Sequence, residues 1–343
     1  MPSRPAVPSA DIPGFDELLA SAHVVSLPMR VKFRGIMERE ALLLRGPAGW
    51  GEFCPFPEYA DAEASRWLAA AIEAAWSGFP PPVRSVIPVN ATVPAVPADR
   101  VPDVLARFGR VDAVKVKVAE QGQTLDDDAA RLAAVRAALP EAAIRVDANG
   151  GWDVPTAVEA LTRLSAVGLE YAEQPVPTIE GLAEVRRALR AAGTPVLIAA
   201  DESVRKESDP LRVARAGAAD LIVVKVAPLG GVRRALDIVA QAGLPAVVSS
   251  ALDTSVGIRA GLALAASLPE LPYACGLGTV SLFESDITKD PLVADDGAIR
   301  LRDVAADAGL LEQYAASPER RDWWLARLRR VHAFLAPQQP SIT

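Results

Sequence analysis

The sequence contains few residues of the kinds that build zinc sites and disulfides. Its 343 residues include two cysteines, Cys54 and Cys275, and two histidines, His23 and His332. A zinc site needs such residues at short spacings, but the cysteines are far apart and no histidine cluster lies nearby. We therefore expect no zinc site, two reduced thiols of the kind found in cytoplasmic proteins, and no catalytic role for either histidine.

Long hydrophobic runs and basic blocks are missing as well. No stretch of about 18 or more uncharged apolar residues occurs, so we expect no membrane-spanning helix. Met1–Gly14 contains one arginine and several prolines and lacks the apolar run of a signal peptide. The net charge is −7 with acidic and basic residues mixed, which does not favour nucleic acid as a partner. The expectation is a cytoplasmic protein that acts on a small molecule.

Half of the residues are hydrophobic, enough for a large core in one or two domains. Residues 1–84 lack the strand–helix alternation of the later chain, and their pattern predicts a small α+β domain. Strand patterns cover Ala22–Phe33 and Glu40–Arg45, a third strand begins at Trp50, and a helix covers Asp61–Trp76.

Between residues 85 and 290, strand and helix patterns alternate. Amphipathic helices such as Thr124–Ala138, Thr156–Ala166 and Gly231–Gln241 separate the predicted strands. These strands are Val86–Val93, Ala113–Ala119, Ala143–Asn149, Tyr171–Pro175, Val196–Glu202, Leu221–Pro228, Ala246–Leu252 and Tyr273–Thr279. The alternation favours a parallel α/β barrel. A doubly wound open sheet is the alternative, but the glycine-rich turn that usually follows its first strand is not found here.

The remaining segment, residues 291–343, begins with a short strand pattern, AIRL. A helix rich in arginine and tryptophan follows over Pro318–Leu335. We expect this helix to pack back on the N-terminal domain and residues 337–343 to be frayed.

Charged residues stand at the ends of five successive predicted strands. Lys117 comes first, the carboxylates Asp147, Glu173 and Asp201 follow on the next three strands, and Lys225 ends the strand after those. Consecutive members are about one strand–helix unit apart. Because apolar strands do not otherwise need buried charges, we interpret the five residues as parts of one site.

Side-chain parity favours convergence of these residues. Alternate residues of a strand point to the same side, so Lys115 shares a face with Lys117. The same parity pairs Arg145 with Asp147, Tyr171 with Glu173, Ala199 with Asp201 and Val223 with Lys225. In a closed barrel the last inward residue of each strand lies at the C-terminal mouth. One such aspartate alone would be better explained as a solvated strand end or a helix N-cap, but five charges at one level would not.

Three converging carboxylates repel one another unless a cation lies among them. Because the ligands are oxygen only, Mg²⁺ or Mn²⁺ is the expected ion, with no organic cofactor. A substrate carboxylate on the open metal positions would have a more acidic α-proton. Lys117 would accept that proton, since positive charge from Lys115 and the metal favours a neutral amine. Lys225 enters from the opposite side and would act as a second acid/base or hold the developing anion.

Taken together, these residues resemble the enolase superfamily and, within it, the muconate-lactonizing subgroup. The shared motifs are the K-x-K of Lys115 and Lys117, the DAN from Asp147 to Asn149, the EQP at Glu173, the DES at Asp201 and the lysine Lys225. The resemblance covers nearly the whole chain and implies a (β/α)₇β TIM-like barrel with an α+β capping domain. It also implies a Mg²⁺ ion held by the three carboxylates, and proton abstraction by lysine as in enolase-type sites.

Within that subgroup, the chain most resembles the actinobacterial o-succinylbenzoate synthase family of menaquinone biosynthesis. The similar stretches are FRGI (Phe33–Ile36), GWGEFCPF (Gly49–Phe56), VSSALDTSVGI (Val248–Ile258) and GLGT (Gly276–Thr279). The resemblance implies syn dehydration of 2-succinyl-6-hydroxy-2,4-cyclohexadiene-1-carboxylate to 2-succinylbenzoate. In that family the lysine matching Lys117 abstracts the proton and then protonates the leaving hydroxide, while the lysine matching Lys225 stabilises the enediolate.

Two other functions stay open. An N-succinylamino-acid racemase or dipeptide epimerase would use the same five residues, with both lysines as acid/base groups. A catalytically silent barrel that binds an acidic metabolite would be suggested by loss of one of the five, and none is lost. The sequence leaves the oligomeric state open, a monomer included.

Further contacts are expected around the barrel mouth. The supporting or substrate-binding candidates are Lys115, Arg145, Asn149, Ser249, Ser250, Asp253 and Gly276. Ser249 and Ser250 end the seventh strand, in the region that holds the substrate's carboxylate end in the family, or else they cap the following turn. Arg145 would orient carboxylates or satisfy a buried charge. The loop before Met29 and the FRGI segment should close over the mouth, as the capping domain does in the family.

Overall fold

The computed structural model describes residues 12–33, 35–194, 196–204 and 209–335. It begins with helix α1 and an antiparallel sheet in the order β1–β2–β3, on which helix α2 packs. These elements are α1 (Phe15–Ala20), β1 (Ala22–Phe33), β2 (Ile36–Gly46), β3 (Gly49–Phe53) and α2 (Asp61–Ile72). The predicted α+β architecture is confirmed, although the last part of the predicted helix is a π-helical turn, Glu73–Ser77.

Both faces of this sheet are covered, which explains the unbroken apolar run in β2. Ala41, Leu42, Leu43 and Leu44 are all fully buried. Neighbouring residues of a strand point to opposite faces, so burial of all four requires packing on both sides of the sheet. A strand in this position shows no alternation of apolar and polar residues, because neither of its faces meets water.

Strand β3 lies so close to helix α2 that Gly51 has no room for a side chain. A β-carbon built on Gly51 would overlap the backbone carbonyl of Ala71. The obstacle is backbone and not the flexible end of a side chain. A larger residue would therefore force the strand and the helix apart.

We expect Gly51→Ala to lower the free energy of unfolding by about 1–3 kcal/mol, the usual cost of overpacking a filled core. The loss should appear as a lower midpoint in urea unfolding with an unchanged m-value. An unchanged midpoint would show that β3 and α2 separate at no cost, contrary to this packing.

The second sheet is parallel and has the strand order β11–β10–β9–β8–β7–β6–β5. Its strands are β5 (Ala91–Val93), β6 (Ala113–Lys117), β7 (Ala143–Asp147), β8 (Leu169–Glu173), β9 (Leu197–Ala200), β10 (Leu221–Val224) and β11 (Ala246–Val248). The sheet closes through parallel bridges from Cys275 to Val89 and from Gly276 to Ser249. This closure confirms the predicted α/β barrel and excludes the open doubly wound sheet.

The predicted strand Val86–Val93 is wrong as a single element. Its first part, β4 (Val86–Pro88), pairs antiparallel with β12 (Ala298–Arg300) outside the barrel. Only β5 is a barrel strand. Both parts are apolar and extended, so the sequence pattern does not reveal that the chain passes from one sheet to another between them.

Other predicted strands are longer than the observed ones. The strand predicted over Leu221–Pro228 ends at Val224, and a short helix, α8, follows it. The strand predicted over Tyr273–Thr279 is reduced to single bridges, and Thr279 lies in a 3₁₀ turn. Short apolar runs beside proline or glycine fit a strand and a helical turn equally well, which explains both errors.

Helices connect the barrel strands. They are α3 (Val101–Leu105), α4 (Leu125–Ala138), α5 (Val154–Leu164), α6 (Ile179–Ala191), α7 (Asp209–Arg215), α8 (Val226–Leu229), α9 (Val232–Ala242) and α10 (Ser255–Ser267). Helix α4 is confirmed, with Thr124 as N-cap in a capping box with Asp127. Helix α5 begins two residues earlier than predicted, because Asp153 is its N-cap and Pro155 occupies its first turn.

The C-terminal helix packs back on the N-terminal sheet, as expected. The last helices are α11 (Ala308–Gln313) and α12 (Pro318–His332). The Arg320 guanidinium donates to the two Glu40 carboxylate oxygens at 2.7 and 2.6 Å, and Trp324 Nε1 donates to Glu40 at 3.0 Å. Arg327 donates to the backbone oxygens of Phe56 and Tyr59. The two ends of the chain thus form one layer over the barrel.

The domain limits 1–84, 85–290 and 291–343 stay a prediction. Residues 337–343 and most of Met1–Gly14 lie outside the described residues. Within residues 12–335, as far as they are described, every helix is too short or too polar to cross a bilayer.

Candidate active site

The barrel topology brings the five predicted charged residues to one mouth. Lys117, Asp147 and Glu173 are the last residues of β6, β7 and β8. The strand register places Lys117 beside Asp147 and Asp147 beside Glu173. Asp201 and Lys225 directly follow the ends of β9 and β10. All five therefore lie at the carboxyl ends of adjacent strands, where (β/α) barrels carry their active sites.

Residues that strand parity predicts to point into the barrel do lie in its interior. Tyr171, Ala199 and Val223 belong to a small buried cluster with Leu221 and Val247, separate from the main core. The intervening strand residues belong to the main core that the helices cover. The small cluster fills the barrel and forms the floor below the charged residues.

Each lysine of the site is held by a carboxylate. Lys117 Nζ donates to Asp147 Oδ2 at 2.5 Å, and Lys225 Nζ donates to both oxygens of Asp201. Lys115 Nζ donates to the two oxygens of Glu173 at 3.0 and 3.1 Å. The same ammonium lies 3.4 Å from Asp147 Oδ2, between two of the carboxylates.

The three carboxylates are almost completely removed from solvent. Their exposed fractions are 1% for Asp147, 1% for Glu173 and 4% for Asp201. Burial, followed by repulsion from Asp147 and Asp201, raises the pKa of Glu173 to about 8 against the attraction of Lys115. Burial alone would also raise the pKa of Asp147, but Lys117 and Lys115 outweigh it and hold that pKa well below its usual range. At Glu173, burial and repulsion within the trio therefore outweigh the attraction of the neighbouring lysine.

This donor set fits a hard divalent cation. The trio offers carboxylate oxygens alone, which Mg²⁺ and similar ions prefer, and a dication would relieve the repulsion among them. Among the described residues, the one group of three such side chains whose ligand atoms all lie within 4.8 Å is a different one, Glu52, Cys54 and Asp253. At the barrel mouth the Lys115 ammonium lies between Asp147 and Glu173, and the ligand atoms of the three carboxylates do not all lie within 4.8 Å of one another.

Asn149 and Gln174 hold the charged residues in place, and both adopt left-handed backbone conformations. Asn149 Oδ1 accepts a hydrogen bond from Lys117 Nζ at 2.6 Å, and its backbone N–H donates to Asp147 Oδ1. Gln174 Oε1 accepts the backbone N–H groups of Asp201 and Ser203 at 2.9 and 3.2 Å. No role for Gln174 is predicted from the sequence alone. Its position directly after Glu173 in the EQP motif was the available signal.

The pocket above these residues encloses about 600 Å³ of empty space, part of which is open to solvent. All the predicted site residues line it except Glu173, Arg145 and Asp253. Side chains from the N-terminal domain also line it, among them Phe33, Tyr59 and Trp67. Phe33 belongs to the FRGI segment, and its ring centroid lies 5.4 Å from Lys117 Nζ. Arg34 of that segment lies outside the described residues.

Sequence reasoning missed Tyr59 and Trp67, as well as Thr92 and Pro228, which also line the cavity. Trp67 lies on the apolar face of α2, and such a face is indistinguishable in sequence from one that packs into a core. The residues of a second domain that reach the barrel mouth are determined by docking of the two domains, which local periodicity does not encode.

Ser249 and Ser250 face the cavity and do not cap the next helix. Ser250 Oγ and Thr279 Oγ1 are hydrogen-bonded at 2.7 Å. Thr254 is the N-cap of α10 and accepts a hydrogen bond from the Val256 N–H. A β-carbon on Gly276 would lie 2.6 Å from Ser249 Oγ, so a larger residue there would require the serine side chain to move.

Arg145 and Asp253 lie away from the cavity. Arg145 Nε donates to Glu170 at 2.6 Å, and its guanidinium lies 4.9 Å from the Tyr171 ring centroid in the barrel floor. The buried charge of Arg145 is thus satisfied by Glu170, Asn90 and the Ala274 carbonyl, and none of these hydrogen bonds reaches the three carboxylates. Asp253 lies in a second buried group with Glu52 and Cys54, between β3 and the loop after β11. Burial raises the pKa of Asp253 there.

Sequence comparison finds two family profiles on this chain. The profile described as "Enolase C-terminal domain-like" matches residues 98–310, and "Enolase N-terminal domain-like" matches residues 24–75. The o-succinylbenzoate synthase of Mycolicibacterium smegmatis is 55% identical over 325 residues, covering 94% of this chain and 99% of that protein. The o-succinylbenzoate synthase of Mycobacterium marinum is 54% identical, covering 94% and 98%.

Solved structures share the fold. The muconate lactonizing enzyme of Pseudomonas fluorescens superposes with a TM-score of 0.73 at 22% identity, covering 86% of this chain and 98% of that one. At this identity the similarity concerns the fold alone. The barrel with its N-terminal antiparallel sheet is thus an established architecture.

Proposed function

The chain belongs to the enolase superfamily, and from this premise we propose that it is an o-succinylbenzoate synthase. It would catalyse the syn dehydration of 2-succinyl-6-hydroxy-2,4-cyclohexadiene-1-carboxylate to 2-succinylbenzoate in menaquinone biosynthesis. The observation that carries the proposal is 55% identity to a curated o-succinylbenzoate synthase over 94% of the chain. The substrate is a small-molecule carboxylate. The two free, buried cysteines suit a cytoplasmic enzyme.

Members of this superfamily bind a divalent metal, and we propose that Asp147, Glu173 and Asp201 hold Mg²⁺ here. The proposal is supported by the oxygen-only donor set and by the raised pKa of Glu173, about 8, which burial and neighbouring carboxylates produce. When bound, Mg²⁺ would supply Lewis-acid stabilisation of negative charge on the substrate carboxylate. Lys115 would remain the partner of Glu173 and limit repulsion within the trio.

We propose Lys117 as the group that moves the proton. Its Nζ lines the cavity and is fixed in direction by hydrogen bonds to Asp147 and Asn149. It would take the proton from the carbon next to the substrate carboxylate and return it to the departing hydroxide. The substrate thereby loses one hydrogen and one hydroxyl as water, and a ring double bond forms. One group suffices for both transfers because the two leaving parts are on the same face.

We propose that Lys225 stabilises charge during this reaction. Its Nζ donates to both Asp201 oxygens, so the ammonium has a fixed position on the side of the mouth opposite Lys117. A preorganised positive charge of this kind stabilises an anion that develops in the transition state. Aromatisation of the ring supplies driving force, so positioning and charge stabilisation are the main tasks of the protein.

The function is tested by assaying two substrates side by side with Mg²⁺. We expect the cyclohexadiene carboxylate to be converted to 2-succinylbenzoate, which is followed by ultraviolet absorbance. An N-succinyl amino acid is the matched comparison, with α-proton exchange in D₂O followed by NMR. Rapid exchange from both enantiomers, without detectable dehydration, would establish the racemase in place of the synthase.

Lys225→Arg separates the two activities further. Arginine keeps the positive charge but does not donate or accept a proton in catalysis near neutral pH. We expect the variant to keep part of the dehydration rate and to lose any racemisation, which needs a second proton-transfer group on the other face of the α-carbon. Loss of dehydration to the level of a Lys225→Ala control would contradict a purely electrostatic role for Lys225.

A further inference from the structure

Arg39 is a buried cation that joins the N-terminal sheet to a loop of the barrel. It lies on β2 with 2% of its surface exposed. Its Nε donates to the Leu252 carbonyl at 3.0 Å, and its Nη2 donates to the carbonyls of Ala251 at 3.1 Å and Cys54 at 2.5 Å. The guanidinium also stacks on the Phe56 ring, 4.2 Å from its centroid. One side chain thus holds backbone groups of both domains.

The loop that Arg39 holds forms part of the cavity wall. Ala251 and Leu252 line the cavity together with Ser249 and Ser250. Leu252 has a φ of 61°, a left-handed conformation that is unfavourable for a side chain of this size. Such a conformation persists only where surrounding contacts hold it. The hydrogen bond from Arg39 Nε to the Leu252 carbonyl is a contact of this kind.

Glu52 holds the other side of the same loop. It lies on β3, and its carboxylate accepts the backbone N–H groups of Thr254 and Gly257 at 3.1 and 3.0 Å, as well as the Thr254 hydroxyl. These groups belong to the first turn of α10. The Arg39 guanidinium therefore donates to carbonyls at the start of the loop, and the Glu52 carboxyl oxygens accept from amides at its end.

Within the described part of the chain, the hydrogen bonds of Arg39 and Glu52 reach neither the proposed metal ligands nor Lys117. Their contacts reach the site only through the loop of residues 251–254. Movement of that loop would displace the wall of the cavity while Lys117 and the three carboxylates stay on their own strands. Substrate binding should consequently depend on these contacts more than the chemical step does.

We propose that Arg39 and Glu52 are positioning residues that clamp the loop 251–254 against the N-terminal domain and thereby set the shape of the substrate cavity. The proposal rests on the synthase function for the identity of the substrate. It assigns a role in substrate affinity and specificity to two residues that do not line the cavity.

The test compares Arg39→Lys with Arg84→Lys. Arg84 is the matched control, because it also donates to three backbone carbonyls, those of Ala265, Leu268 and Pro269, which do not line the cavity. A lysine ammonium does not reproduce the planar fork of donors. For Arg39→Lys we expect KM for the cyclohexadiene substrate to rise about tenfold or more, as for loss of a charge-assisted hydrogen bond. We expect kcat to stay within about threefold, and the control to keep both constants near wild type.

A second measurement does not depend on the substrate. Hydrogen exchange followed by mass spectrometry should show faster exchange in the peptide that covers residues 249–257 in Arg39→Lys, and wild-type exchange there in Arg84→Lys. If Arg39→Lys does not fold, Glu52→Gln replaces it in both measurements with the same expected direction.

The outcomes are separable. Unchanged exchange in residues 249–257, an unchanged KM, or a fall in kcat alone would overturn the clamp. Equal changes in the Arg84→Lys control would also overturn it, because they would reflect general loss of stability. Failure of the wild-type enzyme to form 2-succinylbenzoate would instead reject the proposed function, and the exchange measurement would still decide the clamp.

Discussion

Replacement of Lys117 by alanine is expected to reduce kcat by about 10²–10⁴-fold, and by more where the same group returns the proton to the leaving hydroxide. Lys117 Nζ is the proposed proton acceptor, and the hydrogen bonds to Asp147 and Asn149 direct it into the cavity. Alanine removes the acceptor and leaves no other group in the same position. The measurement is the steady-state rate of 2-succinylbenzoate formation at saturating substrate and Mg²⁺.

Lys117→Arg is the matched variant. It keeps a positive charge beside Asp147, so the buried carboxylate is not left without a partner. A guanidinium stays protonated and does not serve as the base, so we expect this variant to be nearly as inactive as alanine. Circular dichroism and the unfolding midpoint should show that both variants are folded. Turnover near the wild-type rate in Lys117→Ala would rule out Lys117 as the base.

Exhaustive chelation is expected to abolish turnover, and addition of Mg²⁺ or Mn²⁺ should restore it. Three buried carboxylates meet at one mouth and repel one another, and a dication would relieve this repulsion. A ligand that binds only the folded state also stabilises it, by about 2.7 kcal/mol at a concentration 100 times its Kd. The unfolding temperature of the chelated protein should therefore rise on titration with Mg²⁺. Full activity after chelation would contradict a metal requirement.

Glu173→Gln tests the same site without relying on turnover alone. Burial and the neighbouring carboxylates already disfavour the charged form of Glu173, whose pKa is raised to about 8. Without metal, a carboxyl group with a raised pKa lowers the stability of the fold at pH values above its ordinary pKa. The stability therefore increases as the pH falls from about 8 toward that ordinary pKa. A neutral glutamine removes this penalty, so the metal-free variant should be at least as stable as wild type at pH 7.

The same variant should show no Mg²⁺-dependent rise in unfolding temperature. Asp201→Asn should also weaken metal binding and leave the protein folded. A normal Mg²⁺ response in both variants would show that these carboxylates do not hold the ion.

Much of this site could be predicted because its parts are local in sequence. The residues Lys117, Asp147, Glu173, Asp201 and Lys225 each end a recognisable strand, and successive parallel strands of a barrel present their ends at one mouth. Strand parity also predicted which residues point into the barrel, since the period of two is a property of any strand. The interior cluster of Tyr171, Ala199 and Val223 agrees with that prediction.

Two candidates lie away from the cavity for different reasons. Arg145 has the correct parity and lies in the barrel floor with Glu170, one layer below the cavity, in agreement with the second of its two expected roles. Asp253 stands near Ser249 and Ser250 in sequence, yet the turn at Leu252 directs it to Glu52 and Cys54. Sequence proximity to a site residue does not determine which way a loop side chain points.

The amino-acid sequence by itself determined the barrel and the position of its charged residues at the carboxyl ends of the strands, on the side that faces the interior. Strand period and strand–helix spacing, which specify these features, are short-range properties. The tertiary structure decided which lysine pairs with which carboxylate and which residues of the N-terminal domain reach the cavity. It also decided that Arg39 and Glu52 form hydrogen bonds with a loop more than 200 residues away in the chain. Such contacts depend on the docking of segments that are distant in sequence, and their energies appear only once the domains are packed together.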